Sequence, residues 1–98
     1  MKTFEDLKFE RHLADPGGLA ARMFFKNGYG VSVIRFYGSY TAGPDEWELA
    51  VLKGNAVTYT LTYDTHITDD VLGHLTAEMV SEVMRRVQKL PAVKGGAK

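Results

Sequence analysis

Apolar and polar residues alternate along most of the first two thirds of the chain, and this period of two is typical of half-buried β-strands. Five segments have the pattern: residues 4–13, 19–26, 29–36, 46–52 and 56–63. Asn27-Gly28 separates the second from the third and favours a type I′ hairpin turn, in which both central residues need a positive φ. The pattern therefore predicts an antiparallel meander with a hairpin at this point.

The last of these segments is the most regular, because residues 58, 60 and 62 are all threonine. The intervening positions are apolar: Val57, Tyr59, Leu61 and Tyr63. Threonine suits a solvated face of an antiparallel sheet, so we expect the threonines on the outer face. The segment has no proline and no inward charge to protect a free strand edge, which predicts that two copies pair across a two-fold axis as a homodimer.

From Thr68 the apolar period changes to that of a helix. Residues 68–70 can begin a short helical turn, with two aspartates near its positive end, and Gly73 can end it. Thr76 then caps a longer helix that stops before Pro91. One apolar stripe runs along this helix: Val80, Val83, Met84, Val87 and Leu90. This stripe is long enough to cover one face of the sheet.

These elements predict an α+β fold, with an antiparallel four- to five-stranded meander sheet packed on one C-terminal α-helix. The chain has 98 residues, a length that suits one domain. We place that domain at residues 1–91. Residues 92–98 are basic and contain glycine, and we expect them to form a flexible C-terminal tail.

Composition narrows the class of protein. Hydrophobic residues make up 45% of the chain, and 12 basic residues balance 12 acidic ones. This hydrophobic content argues against a disordered chain. The zero net charge argues against nucleic acid as a partner. No apolar run approaches the roughly 18 residues that a membrane span needs, and residues 1–6 lack the apolar stretch of a signal peptide. Because cysteine is absent, we expect a soluble protein of a reducing compartment.

The side chains best suited to chemistry are those of His66, Asp70 and His74. Asp70 and His74 would share one face if this turn is helical, and such side chains bind zinc or iron. These three side chains make a small metal-dependent hydrolase an alternative function. Their spacing matches no metal motif, however, and no serine lies in a nucleophile motif. We therefore expect no catalytic residue, no bound metal and no cofactor.

A second group of residues is typical of a binding surface. Tyr37, Tyr40 and Trp47 lie in or beside the longest polar loop, and Arg35 is the nearest charged residue. These residue types dominate interface hot spots, because each buries a large area and keeps a polar group. We predict that the four residues bind a partner. The alternative is that Trp47 and Phe36 belong to the core and only the two tyrosines are exposed.

Three stretches of the chain resemble small uncharacterised proteins encoded by bacteriophages and prophages. They are NGYGVSVIR at residues 27–35, ELAVL at 48–52 and YDTHITDDVLG at 63–73, within a similarity that covers about residues 20–90. The resemblance implies a phage accessory protein in the cytoplasm of a bacterial host. Such proteins commonly bind host proteins, including components of defence systems. The resemblance carries over no functional residue.

Residue patterns and resemblance together lead to one hypothesis and two alternatives. The hypothesis is a non-catalytic phage-type accessory protein that binds and occludes a host protein, such as part of a defence system. The first alternative is a protein that sequesters a small ligand, held between helix and sheet or at a dimer seam. The second alternative is the metal-dependent hydrolase described above.

Overall fold

Six antiparallel strands and one α-helix form the described part of the chain, which confirms the predicted α+β class. The computed structural model describes residues 1–11, 18–35, 46–62 and 72–92. A 3₁₀ turn at Phe4–Asp6 precedes the strands, which are β1 (Glu10–Arg11), β2 (Leu19–Phe24), β3 (Tyr29–Arg35), β4 (Trp47–Gly54), β5 (Tyr59–Leu61) and β6 (Leu72–Leu75). Helix α1 (Ala77–Gln88) follows β6. Of the predicted tail, residues 93–98 lie outside the described residues.

The first five strands form the predicted meander, with spatial order β1-β2-β3-β4-β5. β3 pairs along one side of β4. On the other side of β4, β5 pairs with its end at residues 52–54, and β6 pairs with its start at Trp47 and Leu49. β5 and β6 therefore lie one after the other along the same side of β4.

One face of the sheet packs on α1 and forms the core. Trp47, Leu49 and Val51 of β4 alternate as predicted and are buried. The helix contributes its predicted stripe, of which Val83 is partly buried and the rest is buried: Val80, Met84, Val87 and Leu90. The helix also begins where predicted, because the Thr76 Oγ1 accepts a hydrogen bond from the Met79 N–H. The helix thus covers the core.

The prediction that the threonines lie on the outer face of the sheet is wrong for Thr60 and Thr62, which strand register places on the helix-facing side. Thr60 is exposed there, but Thr62 is buried. Thr62 is only 6% exposed, whereas Leu61 is 49% and Val57 is 91% exposed. Strand register explains the reversal: the Thr62 N–H donates to the Val51 carbonyl oxygen at 3.0 Å, so Thr62 shares the helix-facing side with Val51. β5 also begins later than predicted, because the Asn55 Oδ1 accepts the Val57 N–H in a turn.

Residues 72–75 form a strand, and the prediction that a helical turn ends here is wrong. The strand pairs with the start of β4, where Leu75 lies opposite Trp47. His74 has a φ of 57°, a left-handed conformation that is uncommon for a residue with a side chain. Pairing with β4 provides backbone partners that a helical turn would leave unmet. The rest of the predicted turn, residues 68–71, lies outside the described residues.

The first predicted strand, residues 4–13, is also different, since it begins with a turn that packs on α1. The Asp6 carboxylate accepts the Thr3 N–H at 2.8 Å, which stabilises the 3₁₀ turn. The Phe4 N–H donates to the Ser81 Oγ of α1 at 3.0 Å. Of the described residues 4–11 of this segment, only those of β1 pair with another strand, which is β2. Contacts with a distant helix decide this conformation, and alternation in the local sequence does not reveal them.

The hairpin between β2 and β3 is confirmed, but its turn is not type I′. Gly28 has a positive φ of 87°, whereas Asn27 does not have a positive φ. The Phe25 N–H donates to the Tyr29 carbonyl oxygen at 2.8 Å, and the Gly28 N–H donates to that of Phe25 at 3.3 Å. This pattern is a three-residue loop with glycine in the left-handed position.

Asn27 joins this loop to the end of α1. Its Nδ2 donates to the carbonyl oxygens of Val87 and Leu90, at 2.8 and 3.1 Å. Its Oδ1 accepts the Tyr29 N–H at 3.1 Å. Carbonyl groups in the last turn of a helix lack partners within the helix. Asn27 therefore stabilises the helix end and positions it over the hairpin.

Asn27→Ala should lower the free energy of unfolding by about 1–3 kcal/mol, because it leaves part-buried polar groups without a partner. Asn55→Ala is the matched control, since the Asn55 side chain also accepts backbone N–H groups but lies in an exposed turn, where water can replace it. Urea unfolding followed by circular dichroism measures both variants. Equal losses in the two would contradict the anchoring role of Asn27.

Candidate functional site

Three aromatic side chains from separate parts of the chain meet at the start of β4. This aromatic cluster consists of Phe4, Phe9 and Trp47, whose ring centroids lie 4.5 to 5.5 Å apart. Such distances are typical of favourable aromatic pairs. Trp47 is 7% exposed and belongs to the hydrophobic core. Trp47 is therefore a core residue, as the alternative prediction states, whereas Phe36 lies outside the described residues.

Arg35, the last residue of β3, lies over the aromatic cluster. Its guanidinium carbon is 4.5 Å from the centre of the Trp47 ring, a distance at which the cation is attracted to the ring face. The structure thus brings together two of the four predicted binding residues. The other two, Tyr37 and Tyr40, lie outside the described residues.

A groove of about 490 Å³ opens beside Arg35 and Trp47. It is lined by these two residues and by Phe4, Thr76, Ala77 and Glu78. The last three belong to the start of α1, where unpaired N–H groups give a partial positive charge. Glu78 adds a carboxylate. The groove therefore combines an aromatic wall with groups of both charges, and it suits a side chain or small molecule with an apolar body and a polar end.

Among the described residues that line the groove, Glu78 supplies a carboxylate and Thr76 a hydroxyl group. Neither histidine nor cysteine is among the residues that line it. Its hydroxyl group belongs to Thr76, whose Oγ1 already accepts the Met79 N–H at 3.2 Å. Nearby in α1, the Ser81 Oγ accepts a hydrogen bond from the Phe4 N–H. Both hydroxyl oxygens therefore take part in backbone hydrogen bonds that stabilise α1 and the segment packed on it.

His74 is the described member of the predicted His66, Asp70 and His74 constellation. It is exposed, and its Nδ1 lies 3.1 Å from the Glu46 Oε1. Because His74 lies in a strand, the helical spacing assumed for Asp70 and His74 does not hold at this residue. His66 and Asp70 lie outside the described residues. Within the described ranges, no three His, Cys, Asp or Glu side chains are grouped as a metal site requires.

A second aromatic group lies on the sheet face away from α1. The rings of Phe24 in β2 and Tyr59 in β5 are 5.3 Å apart, although β3 and β4 lie between these strands. The contact is possible because Gly30 and Gly54 occupy the positions paired with these two residues and have no side chain. The Arg22 Nη1 donates to the Tyr59 Oη and lies over its ring.

Sequence reasoning did not find Phe4 and Phe9 as neighbours of Trp47. In one continuous strand, Phe4 at an even position and Phe9 at an odd position would point to opposite faces of the sheet. Only the 3₁₀ turn at the start of the chain brings both rings to the same side. The signal that could have revealed the turn is this conflict of parity between two large aromatic residues in one short segment.

Helix α1 has 12 residues, and in the part of the chain that the structure describes no helix is both long and apolar enough to cross a membrane. No protein-family model, curated protein or solved structure matches the chain.

Proposed function

We propose that the protein is a non-catalytic binding protein of the bacterial cytoplasm that binds a host protein and occludes part of its surface. The observation that carries the proposal is Arg35 lying over Trp47 at the side of the groove. Arginine and aromatic residues are the types that dominate interface hot spots. The resemblance to phage accessory proteins suggests the class of partner, a host protein such as part of a defence system.

The Arg35 side chain rests on a rigid support, which favours binding. Trp47 contacts two further aromatic rings and pairs with Leu75 of β6. A side chain that is already ordered loses less conformational entropy when a partner binds. Tyr37 and Tyr40 follow Arg35 closely in the chain, and the proposal assigns them to the same surface.

A small-ligand sequestering protein is the second candidate, because the groove has a suitable size. Its volume of about 490 Å³ lies within the range of roughly 300–1,000 Å³ that is typical of small-molecule sites. Trp47 is the only tryptophan of the chain, so its fluorescence reports directly on occupancy of the groove. A ligand that copurifies with the protein and changes this fluorescence would favour the second candidate.

Arg35→Ala and Tyr40→Ala should each weaken binding of the host partner roughly 5–30-fold, which corresponds to about 1–2 kcal/mol. The partner is first captured from bacterial lysate with the full-length wild-type chain, and its dissociation constant is then measured by calorimetry. Arg86→Ala is the matched control for Arg35→Ala, because Arg86 is an exposed arginine on α1. We expect the control to bind as the wild type does.

Thermal melts of the same variants separate binding from folding. Tyr40→Ala should change the melting temperature little, because a hot-spot residue acts on the complex rather than on the free protein. Binding that is undiminished in both variants, or a large loss of stability in Tyr40→Ala, would contradict the proposed surface. A lysate that yields no protein partner but a copurified small molecule would replace the proposal with the ligand-binding alternative.

A further inference from the structure

The outer edge of β5 presents backbone groups that have no partner in the described part of the chain. The Thr62 N–H donates to the Val51 carbonyl oxygen, and in an antiparallel pair alternate residues bond toward the same neighbour. The N–H and C=O groups of Tyr59 and Leu61 therefore point away from β4. No strand among the described residues pairs with this edge.

Charge distinguishes this edge from the opposite edge of the sheet. Residues 54–62 contain neither a charged residue nor a proline, and Leu61 is half exposed. At the opposite edge, β1 consists of Glu10–Arg11, whereas the Arg22 side chain of β2 reaches across the outer face of the sheet to Tyr59. Charged side chains on an edge strand disfavour pairing with another strand. β5 is thus an edge strand whose own side chains are uncharged, so like charges on the strand itself do not oppose the pairing of two identical edges.

We propose that β5 pairs antiparallel with β5 of a second copy of this chain, across a two-fold axis at Thr60. Residues whose backbone groups point outward form the hydrogen-bonded pairs of such a ladder. Tyr59 therefore pairs with Leu61 of the partner subunit, and Leu61 pairs with Tyr59 of the partner subunit. If the axis lay at Tyr59, Leu61 would have no residue of the partner's β5 opposite it. If the axis lay at Leu61, the same would be true of Tyr59.

The same register also matches the side chains. Leu61 of each copy lies beside the partner's Tyr59, and such aromatic–aliphatic pairs stabilise adjacent strands. The two Thr60 residues face each other at the axis, where threonine pairs are favourable. The two-fold axis of such an antiparallel pair is perpendicular to the sheet. The two sheets therefore join into one, and both α1 helices lie on the same face of it. The interface is distinct from the Arg35 and Trp47 groove, so it does not depend on the proposed function.

Reciprocal charges at Thr60 test this register in the full-length chain. Thr60 is exposed, and the proposal places it opposite its own copy. Thr60→Lys or Thr60→Glu alone should raise the dimer dissociation constant roughly tenfold or more, because like charges then lie directly opposite each other. An equal mixture of the two variants should restore the dimer. Sedimentation equilibrium measures all three samples.

Met79→Lys is the control for added charge, since Met79 is a 52% exposed position on α1, and it should dimerise as the wild type does. A second measurement needs no variant. In the wild-type chain, the Tyr59 and Leu61 amides should exchange with deuterium more slowly as protein concentration rises, whereas the Val57 amide in the preceding turn should not.

Four results would overturn the proposal. The first is a wild-type chain that stays monomeric at every concentration, and the second is a dimer that both Thr60 variants leave unchanged. The third is a mixture of variants that remains monomeric. The fourth is a monomer whose Leu61 amide becomes protected only in complex with another protein, which would assign the edge to a strand of that protein.

Discussion

Val87→Asp should lower the free energy of unfolding by about 4–5 kcal/mol. Val87 is fully buried in α1, and the residues around it in the core are apolar. Burying a carboxylate without a partner destabilises the folded state by several kcal/mol. A loss of about 4–5 kcal/mol in the free energy of unfolding is near the largest that single substitutions cause. The whole free energy of unfolding of a small domain is about 5–15 kcal/mol. Urea unfolding followed by circular dichroism measures the loss.

Two matched variants on the same helix show whether burial determines the effect. Val83 is partly buried and Met79 is 52% exposed. Val83→Asp should therefore cost less than Val87→Asp, and Met79→Asp should change stability little. Similar losses at Val87 and Met79 would show that the stripe does not face the sheet.

The helix could be predicted because its stripe is a local signal. Val80, Met84 and Val87 recur at the helical period, and Thr76 provides a cap whose geometry the structure confirms. The hairpin between β2 and β3 was predicted for a similar reason, since glycine in a short turn is informative without knowledge of the rest of the fold. Asn27 contacts the helix end instead of adopting a positive φ, and this contact is not local.

Elements that depend on distant partners could not be predicted in the same way. Gly73 follows Asp69 and Asp70 in the sequence, and this local pattern favours the end of a helical turn. Pairing of Leu75 with Trp47, 28 residues earlier, makes the segment a strand instead. Thr62 has a strong preference for a solvated strand face, but its register with Val51 directs it to the core side.

In the candidate site, too, some features could be predicted from local sequence and others depend on distant residues. Arg35 and Trp47 were grouped from residue type and proximity to one loop, and they do lie in contact. Burial of Trp47 depends on Phe4 and Phe9, which are about 40 residues away in sequence and reach it through a turn that alternation concealed. Residue type thus indicated which side chains form the site, whereas their depth depends on tertiary packing.

Gly54→Ala is the second substitution with a large expected effect. Gly54 ends β4 with a φ of 131°, a conformation that residues with a side chain rarely adopt. An added Cβ would overlap the Thr58 carbonyl oxygen and would lie 2.8 Å from the Tyr59 Cα. Both are backbone atoms of the segment that leads into β5, so they cannot move without disturbing its pairing with β4.

We expect Gly54→Ala to lower the free energy of unfolding by about 2–5 kcal/mol, from backbone strain and steric overlap together. Lys53→Ala is the control, because Lys53 is the exposed neighbour in the same strand, and it should change stability little. Amide exchange locates the damage: the Thr60 and Thr62 amides, which bond toward β4, should lose protection before the amides of β3 do. An unfolding midpoint equal to that of the wild type would mean that the turn between β4 and β5 can shift without cost. In that case β5 would not be held rigidly enough to present a defined edge to a second copy, so this single glycine also tests the geometry on which the dimer register depends.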